Sequence, residues 1–160
     1  MTQTNDNSNS NRRQFLKQGG AIAAAATAFG SIARMAHAGE DNTIRLALIG
    51  CGNRGTGAVG DALKSSVPGP VKLYAMANVD EKRLGVSYKS LKTEFGDKID
   101  VSEDRKFIGF DAYRKAIDCL EPGDIAMCTT RAYIRAVHVE YAVKKGINVF
   151  MEKPFASDPG

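Results

Sequence analysis

The sequence predicts an α/β fold in which a doubly wound parallel sheet is covered by helices on both faces. Short apolar runs alternate with segments of helical character along residues 39–160, and the links between them are short. The first apolar run leads directly into a glycine-rich turn. Strands that alternate with helices are joined by crossovers, so they lie parallel in one buried sheet.

Each strand is predicted at a short apolar run that is bounded by turn residues. The first run ends at a glycine, and the second follows a Pro-Gly-Pro turn. The third is short, with two apolar residues, Phe107 and Ile108. The predicted strands are 44–49, 71–79, 106–109, 124–129 and 148–151.

The segments between these runs have the character of helices. They are predicted over 55–66, 81–95, 111–120 and 134–145. In the last of them, Ile134, Val137 and Tyr141 share one face at helical spacing, which predicts its apolar face. Lysines at 144 and 145 and a glycine at 146 are typical of a helix C-terminus.

The first 38 residues have the order of parts that is typical of an export signal. A polar, Asn- and Ser-rich start is followed by Arg12 and Arg13, and then by a weakly apolar, alanine-rich run over 19–33. The segment Ala36-His37-Ala38 has small residues at both ends, as signal cleavage sites do. Paired arginines before such a run indicate a twin-arginine (Tat) signal.

We therefore expect residues 1–38 to be an export signal that is cleaved after Ala38. This interpretation predicts a periplasmic protein with the Tat export machinery as a partner. The alternative, an amphipathic helix that stays in the mature protein, is less favoured because the run is apolar on all faces. The run is also shorter than the ~20 residues that a membrane span needs.

Charge and composition exclude several classes of function for residues 39–160. The net charge is +4, but four basic residues and one acidic residue lie in the first 38, so the remainder is nearly neutral. A nearly neutral domain has no electrostatic footprint for nucleic acid. Three cysteines exclude a disulfide scaffold, and two histidines, one of them in the leader, make a histidine-based metal site unexpected. No metal site is predicted.

A glycine-rich loop between the first strand and the first helix carries the main functional signal. Gly50, Gly52 and Gly55 form the G-x-G-x-x-G pattern. The first glycine allows a tight turn, the second lets a pyrophosphate approach the backbone, and the third lets helix and strand pack closely. Together with Asn53 and Arg54, they start a helix whose amides face phosphate charge. We predict a Rossmann-type dinucleotide site; the alternative is a glycine-rich turn without a ligand.

The second strand ends at residues that could read the adenosine ribose. Rossmann domains that bind NAD have an acidic residue there, about 20 residues after the glycines. Here the candidates are Asn78 and, two residues on, Asp80. Asn78 can hydrogen-bond a ribose but does not repel a 2′-phosphate. Asp80 either shares the strand face of Asn78 or is a solvated residue that opens the next helix, so the cofactor is NAD or NADP.

Three segments resemble the N-terminal domain of the Gfo/Idh/MocA oxidoreductases, the family of glucose–fructose oxidoreductase and inositol dehydrogenase. They are the glycine loop with its strand at 48–55, the Ala-Asn-Val-Asp-Glu-Lys-Arg-Leu segment at 77–84, and Val-Phe-Met-Glu-Lys-Pro at 149–154. The Glu-Lys-Pro triplet after a strand is the most specific of these. Two departures are Asn78, where the family usually has Asp, and Thr-Thr-Arg at 129–131, where it often has Thr-Pro.

The resemblance implies roles for residues after the fourth and fifth strands. Lys153 would be catalytic, pointing into the active site and stabilising the oxygen of a reacting hydroxyl or carbonyl. Glu152 would contact the nicotinamide end of the cofactor, and Thr129 and Thr130 would lie near the nicotinamide ribose. A histidine matching His138 is common in the next helix, and we interpret it as structural. The implied reaction is hydride transfer between the nicotinamide and a carbon that bears a hydroxyl, on a sugar or cyclitol.

The resemblance also implies a second domain that these 160 residues do not contain. Family members have a substrate domain that supplies the acid–base histidine. We therefore expect residues 39–160 to be an NAD(P)-binding domain that is incomplete at its C-terminus, truncated before the substrate domain, from a gene fragment or a partial gene. The alternative is a non-catalytic exported dinucleotide-binding module or a degenerate fragment. An unpaired sheet edge would favour a homo-oligomer.

Overall fold

The computed structural model describes residues 42–65, 69–155 and Ser157. These residues form a five-stranded, all-parallel sheet with helices on both faces, which confirms the predicted fold class. The predicted Tat signal at 1–38 and its cleavage site after Ala38 lie outside the described residues. No helix in the described part of the chain has the length and apolar character needed to cross a membrane.

The elements follow the predicted order, and their ends differ by a few residues at most. The strands are β1 (Ile44–Ile49), β2 (Val71–Asn78), β3 (Lys106–Ile108), β4 (Ile125–Cys128) and β5 (Asn148–Met151). The helices are α1 (Asn53–Lys64), α2 (Glu81–Phe95), α3 (Ala112–Ile117) and α4 (Ala132–Lys144). Short 3₁₀ turns at Gly96–Lys98 and Glu103–Arg105 join α2 to β3.

The strand order β3-β2-β1-β4-β5 puts β1 in the middle of the sheet. Its last residue, Ile49, pairs with Ala77 of β2 and with Cys128 of β4. The residues that follow these three strands therefore meet at one edge. The chain builds the sheet outward in one direction from β1 and then in the other, so the boundary between β1 and β4 is a topological switch point.

The core lies on both faces of β1. Leu46 and Leu48 pack into one apolar cluster with residues of α1 and α2. Ala47 and Ile49 alternate with them and pack into a second cluster with residues of α3 and α4. Burial on both faces explains why β1 is apolar at nearly every position, as strands of parallel sheets are.

The predicted apolar face of α4 is wrong at two of its three residues, whereas the third, Tyr141, is half-buried and packs against the second cluster. Ile134 and Val137 are exposed, whereas Arg135, His138 and Ala142 are buried. The buried stripe is rotated by about one residue because Arg135 and His138 have hydrogen-bond partners inside the protein. A buried polar group with satisfied hydrogen bonds removes most of the penalty that would keep it at the surface.

Candidate functional site

The candidate site is the crevice at the carboxyl ends of β1, β2 and β4. Open α/β sheets bind ligands at this edge, next to the switch point. The structure brings together here the glycine loop after β1, Asn78 at the end of β2, and Thr129 and Thr130 after β4. Helix α1 begins at the same edge, so its N-terminal amides open onto it.

Gly50 and Gly55 are required by the packing of the loop itself. Gly50 has a φ of +100°, and its N–H donates to the carbonyl of Ala77 at 2.9 Å. A Cβ on Gly50 would lie 2.9 Å from Cγ2 of Thr130. A Cβ on Gly55 would lie 2.3 Å from the carbonyl oxygen of Gly50 and 2.5 Å from Oγ1 of Thr129. Neither position has room for a side chain.

Gly52 differs from the other two because nothing within the protein requires it. Its φ is −87°, and no described atom lies within 4 Å of the position that its Cβ would take. It is the N-cap of α1 without a side-chain cap, and Asn53 and Arg54 follow it in the exposed first turn. The open space faces helix amides, and it is the kind of space that an approaching phosphate group needs.

The two threonines after β4 are bonded inside the protein. Oγ1 of Thr129 donates to the carbonyl of Gly50 at 2.8 Å. The backbone N–H of Thr129 donates to the carbonyl of Ile49 at 3.0 Å. Oγ1 of Thr130 lies 3.0 Å from Nδ1 of His138. Thr129 thereby fixes the glycine loop to β4, and Thr130 fixes the next turn to α4.

Asn78 and Asp80 hold the same edge from the side of β2. The N–H of Cys51 donates to Oδ1 of Asn78 at 3.3 Å, and Nδ2 of Asn78 donates to the carbonyl of Asp80 at 2.8 Å. Strand β2 ends at Asn78, so Asp80 does not continue its face. Asp80 is the N-cap of α2, and its carboxylate accepts from the N–H of Arg83 at 3.2 Å.

Glu152 forms an ion pair that joins two distant parts of the chain. Its Oε2 accepts from Nε of Arg54 at 2.5 Å, and its Oε1 accepts from the N–H of Lys153 at 3.1 Å. The hydrogen bond from Arg54 lowers the pKa of the Glu152 carboxyl below its ordinary value, and the N–H of Lys153 adds to this. Glu152 is buried and Arg54 is exposed, so the pair joins the first turn of α1 to the segment that follows β5.

Lys153 follows this ion pair and is exposed. The peptide bond between Lys153 and Pro154 is cis. Because β5 is parallel to β1, the Glu-Lys-Pro triplet leaves the sheet at the same edge as the glycine loop. The structure thus brings both predicted parts of the site to one side of the sheet.

Sequence reasoning missed Arg135, which organises the edge. This buried guanidinium donates from Nε to the carbonyl of Thr130 at 2.9 Å, and from Nη1 to the carbonyls of Glu152 and Pro154. It ties the turn after β4 to the triplet after β5. The signal that could have found it is the spacing of Arg135, His138 and Ala142, a second helical stripe next to the predicted one.

His138 is buried against an aromatic ring on the other side of the same turn. The rings of His138 and Tyr113 are tilted, with centroids 4.3 Å apart. Burial lowers the pKa of His138 below its ordinary value, and the positive charge of Arg135 lowers it further. Both effects favour the neutral imidazole over the charged form in the folded protein.

Two cavities adjoin the glycine loop. A cleft of about 310 Å³ with a mainly apolar lining lies above the ends of the strands, beside Asn78, Phe110, Thr130 and His138. A cavity of about 630 Å³ lies between the N-terminal halves of α1 and α2. The cavity beside α1 opens next to Gly52.

Cys51 lies in the loop but does not have the properties of a reactive thiol. Its Sγ lies 3.6 Å from the carbonyl of Ala77, and burial raises its pKa to about 12. Cys128 is buried in the same way, and its pKa is also raised to about 12. Thiols in this state are protonated and act as small apolar groups. Among the described residues, no cluster of three or more His, Cys, Asp or Glu side chains could hold a metal ion.

Comparison with solved structures identifies the fold around this site. The myo-inositol 2-dehydrogenase of Lactobacillus plantarum superimposes on 73% of the chain with 26% identity and a TM-score of 0.52. The chain is similar to Gfo/Idh/MocA-type oxidoreductases. A myo-inositol dehydrogenase of Lactobacillus casei, solved with NAD(H) and myo-inositol, matches 71% of the chain at 15% identity with a TM-score of 0.53.

A scyllo-inositol dehydrogenase of the same species matches 74% of the chain at 20% identity, with a TM-score of 0.51. The chain spans about 30% of the length of each of these dehydrogenases. No protein-family model and no curated protein sequence matches the chain. What the chain shares with these dehydrogenases is therefore an α/β fold over less than a third of their length.

Proposed function

We propose that this chain is the nucleotide-binding part of an exported NAD(P)-dependent oxidoreductase that acts on a hydroxyl group of a sugar or cyclitol. The observation that carries the proposal is Gly52, which has open space where a side chain would be, at the start of a helix and beside the switch point. The neighbouring structures support it, since they are inositol dehydrogenases and one holds NAD(H).

The residues of the crevice fit a dinucleotide. The backbone at Gly52, Asn53 and Arg54 would bind the pyrophosphate through the free amides of α1. Asn78 or Asp80 would meet the adenosine ribose, and the apolar cleft can take a flat ring. When bound, the nicotinamide supplies the capacity to accept or donate a hydride.

The residues after β4 and β5 would serve the nicotinamide end. Thr129 and Thr130 shape the turn beside it through the bonds that fix them. Glu152 would orient this end, and the Lys153 ammonium would stabilise negative charge on the substrate oxygen. Lys153 is exposed, so it is available to a substrate. The acid–base group would come from a further domain.

Titration of the purified chain with NAD⁺ and NADP⁺ tests the proposal. Gly52→Val should abolish dinucleotide binding, because its side chain would occupy the space that the pyrophosphate needs, while the fold stays intact. Gly57→Val is a matched control, since Gly57 is an exposed glycine of the same helix whose Cβ would also meet no described atom within 4 Å. Unchanged affinity in Gly52→Val would refute the role of the loop.

The export part of the proposal rests on Arg12, Arg13 and the cleavage segment that ends at Ala38. Replacing both arginines by lysine should leave the protein in the cytoplasm, whereas Arg34→Lys should not affect export. Cell fractionation with immunoblotting measures both. Export of the double lysine variant at the normal level would contradict the assignment.

A non-catalytic, dinucleotide-binding module is the second candidate function. The ion pair between Arg54 and Glu152 favours it, because it engages the carboxylate that would otherwise face the nicotinamide end. The intact mass of the native exported protein separates the two candidates. A mass near that of residues 39–160 supports the module, and a mass at least twice as large supports an enzyme with a second domain.

A further inference from the structure

The cavity between α1 and α2 opens next to the glycine loop and is lined on its other side by α2, the helix that follows β2. Its volume is about 630 Å³. Its walls combine the loop, through Gly52 and Asn53, with the exposed N-terminal half of α2. A group attached to the ribose 2′ oxygen would point toward this cavity if the pyrophosphate lies on the loop.

The charged side chains that line the cavity are both cationic. They are Lys82 and Arg83, in the first turn of α2. Hydroxyl groups of Thr56, Ser87 and Ser90 also line it, together with the apolar Cys51 and Val86. The Thr56 and Ser87 oxygens are 2.7 Å apart. A cavity with two cations, several hydroxyls and the backbone of a helix start is suited to a phosphate group.

The carboxylate that would disfavour a phosphate is occupied elsewhere. NAD-selective Rossmann domains have an acidic residue that binds the ribose hydroxyls and repels a 2′-phosphate. Here the position at the end of β2 is the neutral Asn78, whose two side-chain polar atoms bond Cys51 and the carbonyl of Asp80. The Asp80 carboxylate caps α2 and lies 3.7 Å from Nε of Arg83.

We propose that this chain selects NADP(H) over NAD(H), and that Lys82 and Arg83 bind the 2′-phosphate. The inference rests on the proposed dinucleotide function. The Arg83 side chain is 72% exposed, so its long contact with Asp80 is screened by solvent and can be exchanged for a dianionic phosphate. The neutral amide of Asn78 can contact the ribose without repelling the 2′-phosphate.

Isothermal titration calorimetry of the full chain with NADP⁺ and with NAD⁺ tests the proposal. NADP⁺ should bind about tenfold or more tightly than NAD⁺. The double variant Lys82→Ala/Arg83→Ala should lose about tenfold to a hundredfold in NADP⁺ affinity and keep its NAD⁺ affinity. Lys89→Ala, an exposed lysine on the same helix outside this cavity, is the matched control and should change neither.

A second variant tests the ribose position directly. Asn78→Asp should reduce the affinity for NADP⁺, because a carboxylate at this position repels the 2′-phosphate. It should increase the affinity for NAD⁺, because the carboxylate accepts hydrogen bonds from both ribose hydroxyls. Tighter binding of NAD⁺ than of NADP⁺ by the unmodified chain would overturn the proposal. An equal loss for both cofactors in the double variant would overturn it as well. Failure to bind either cofactor would instead overturn the dinucleotide function itself.

Discussion

The glycines of the loop after β1 have different physical reasons to be there. Gly55 packs against the carbonyl of Gly50, so a side chain at Gly55 collides with backbone. Gly52 has open space around it, so a side chain there collides only with a ligand. Folding and binding should therefore respond separately to substitutions three residues apart.

Gly55→Ala should destabilise the fold. The added Cβ would lie 2.3 Å from the carbonyl oxygen of Gly50, and backbone must move to relieve this contact. We expect a loss of about 3 kcal/mol in the free energy of unfolding. Urea denaturation followed by circular dichroism measures it. Gly57→Ala, in open space on the same helix, should instead stabilise by roughly 0.5–1 kcal/mol; equal effects of the two substitutions would contradict this account.

His138 should make stability depend on pH in a defined direction. Its pKa in the folded protein lies below the ordinary value of 6.5, because of burial and the charge of Arg135. On acidification the unfolded chain therefore binds this proton first. The contribution of the neutral imidazole is fully present above about pH 6.5 and is lost as the pH falls toward the folded pKa.

The comparison with His138→Gln isolates this effect. The unmodified chain should lose more free energy of unfolding than the variant when the pH is lowered from neutral through this range. Glu152 acts in a separate window: its lowered pKa gives a contribution that is present above its ordinary 4.5 and is lost below it. The comparison is therefore made above pH 4.5. If the unmodified chain and His138→Gln show the same dependence of stability on pH there, His138 is not the titrating group.

At the scale of elements, the strands and most helix ends could be predicted because local signals determine them. Strands β1 and β5 and helix α2 have the predicted ends, and Gly50 and Gly96 follow two of these elements with positive φ. The buried face of α4 could not be predicted in this way. Its choice depends on carbonyls of Thr130, Glu152 and Pro154 that only the folded chain brings within reach of Arg135.

Arg135 should contribute to stability through the elements that it joins. Arg135→Lys keeps the charge but loses the planar fork that reaches carbonyls after both β4 and β5. We expect a loss of about 2 kcal/mol in the free energy of unfolding, measured by denaturant titration, because buried carbonyls lose their donors. Hydrogen exchange in the segment after β5 should become faster. Arg131→Lys, the exposed N-cap of the same helix, is the control and should change neither quantity.

At the scale of the whole molecule, the topology could be predicted because alternation of strands and helices restricts a chain to crossovers of one hand. The contacts between residues across the site could not be predicted from the sequence. Arg54 and Glu152 are 98 residues apart, and their pairing depends on the parallel placement of β1, β4 and β5. The sequence predicts both residues as part of the site, where each would contact the cofactor. It does not predict the ion pair between them.

The edge strand β5 should promote association of the chain with further copies of itself. Within the described residues β5 pairs with β4 alone, so its other side presents unpaired backbone groups, next to the exposed side chains of Phe150, Met151 and Phe155. An open apolar edge of this kind pairs readily with another strand. We expect sedimentation velocity to show association that increases with protein concentration. Phe150→Lys should shift the equilibrium toward monomer, because a charge at the edge opposes strand pairing.

Val86→Lys provides the matched comparison, since Val86 is an apolar residue that is more exposed than Phe150 but lies on helix α2. If general surface hydrophobicity drives association, this substitution should reduce it at least as much. If the unpaired edge drives it, Val86→Lys should leave it unchanged. A monomer at every concentration in the unmodified chain would mean that the edge is protected by other parts of the protein, and the strand-pairing argument would then fail.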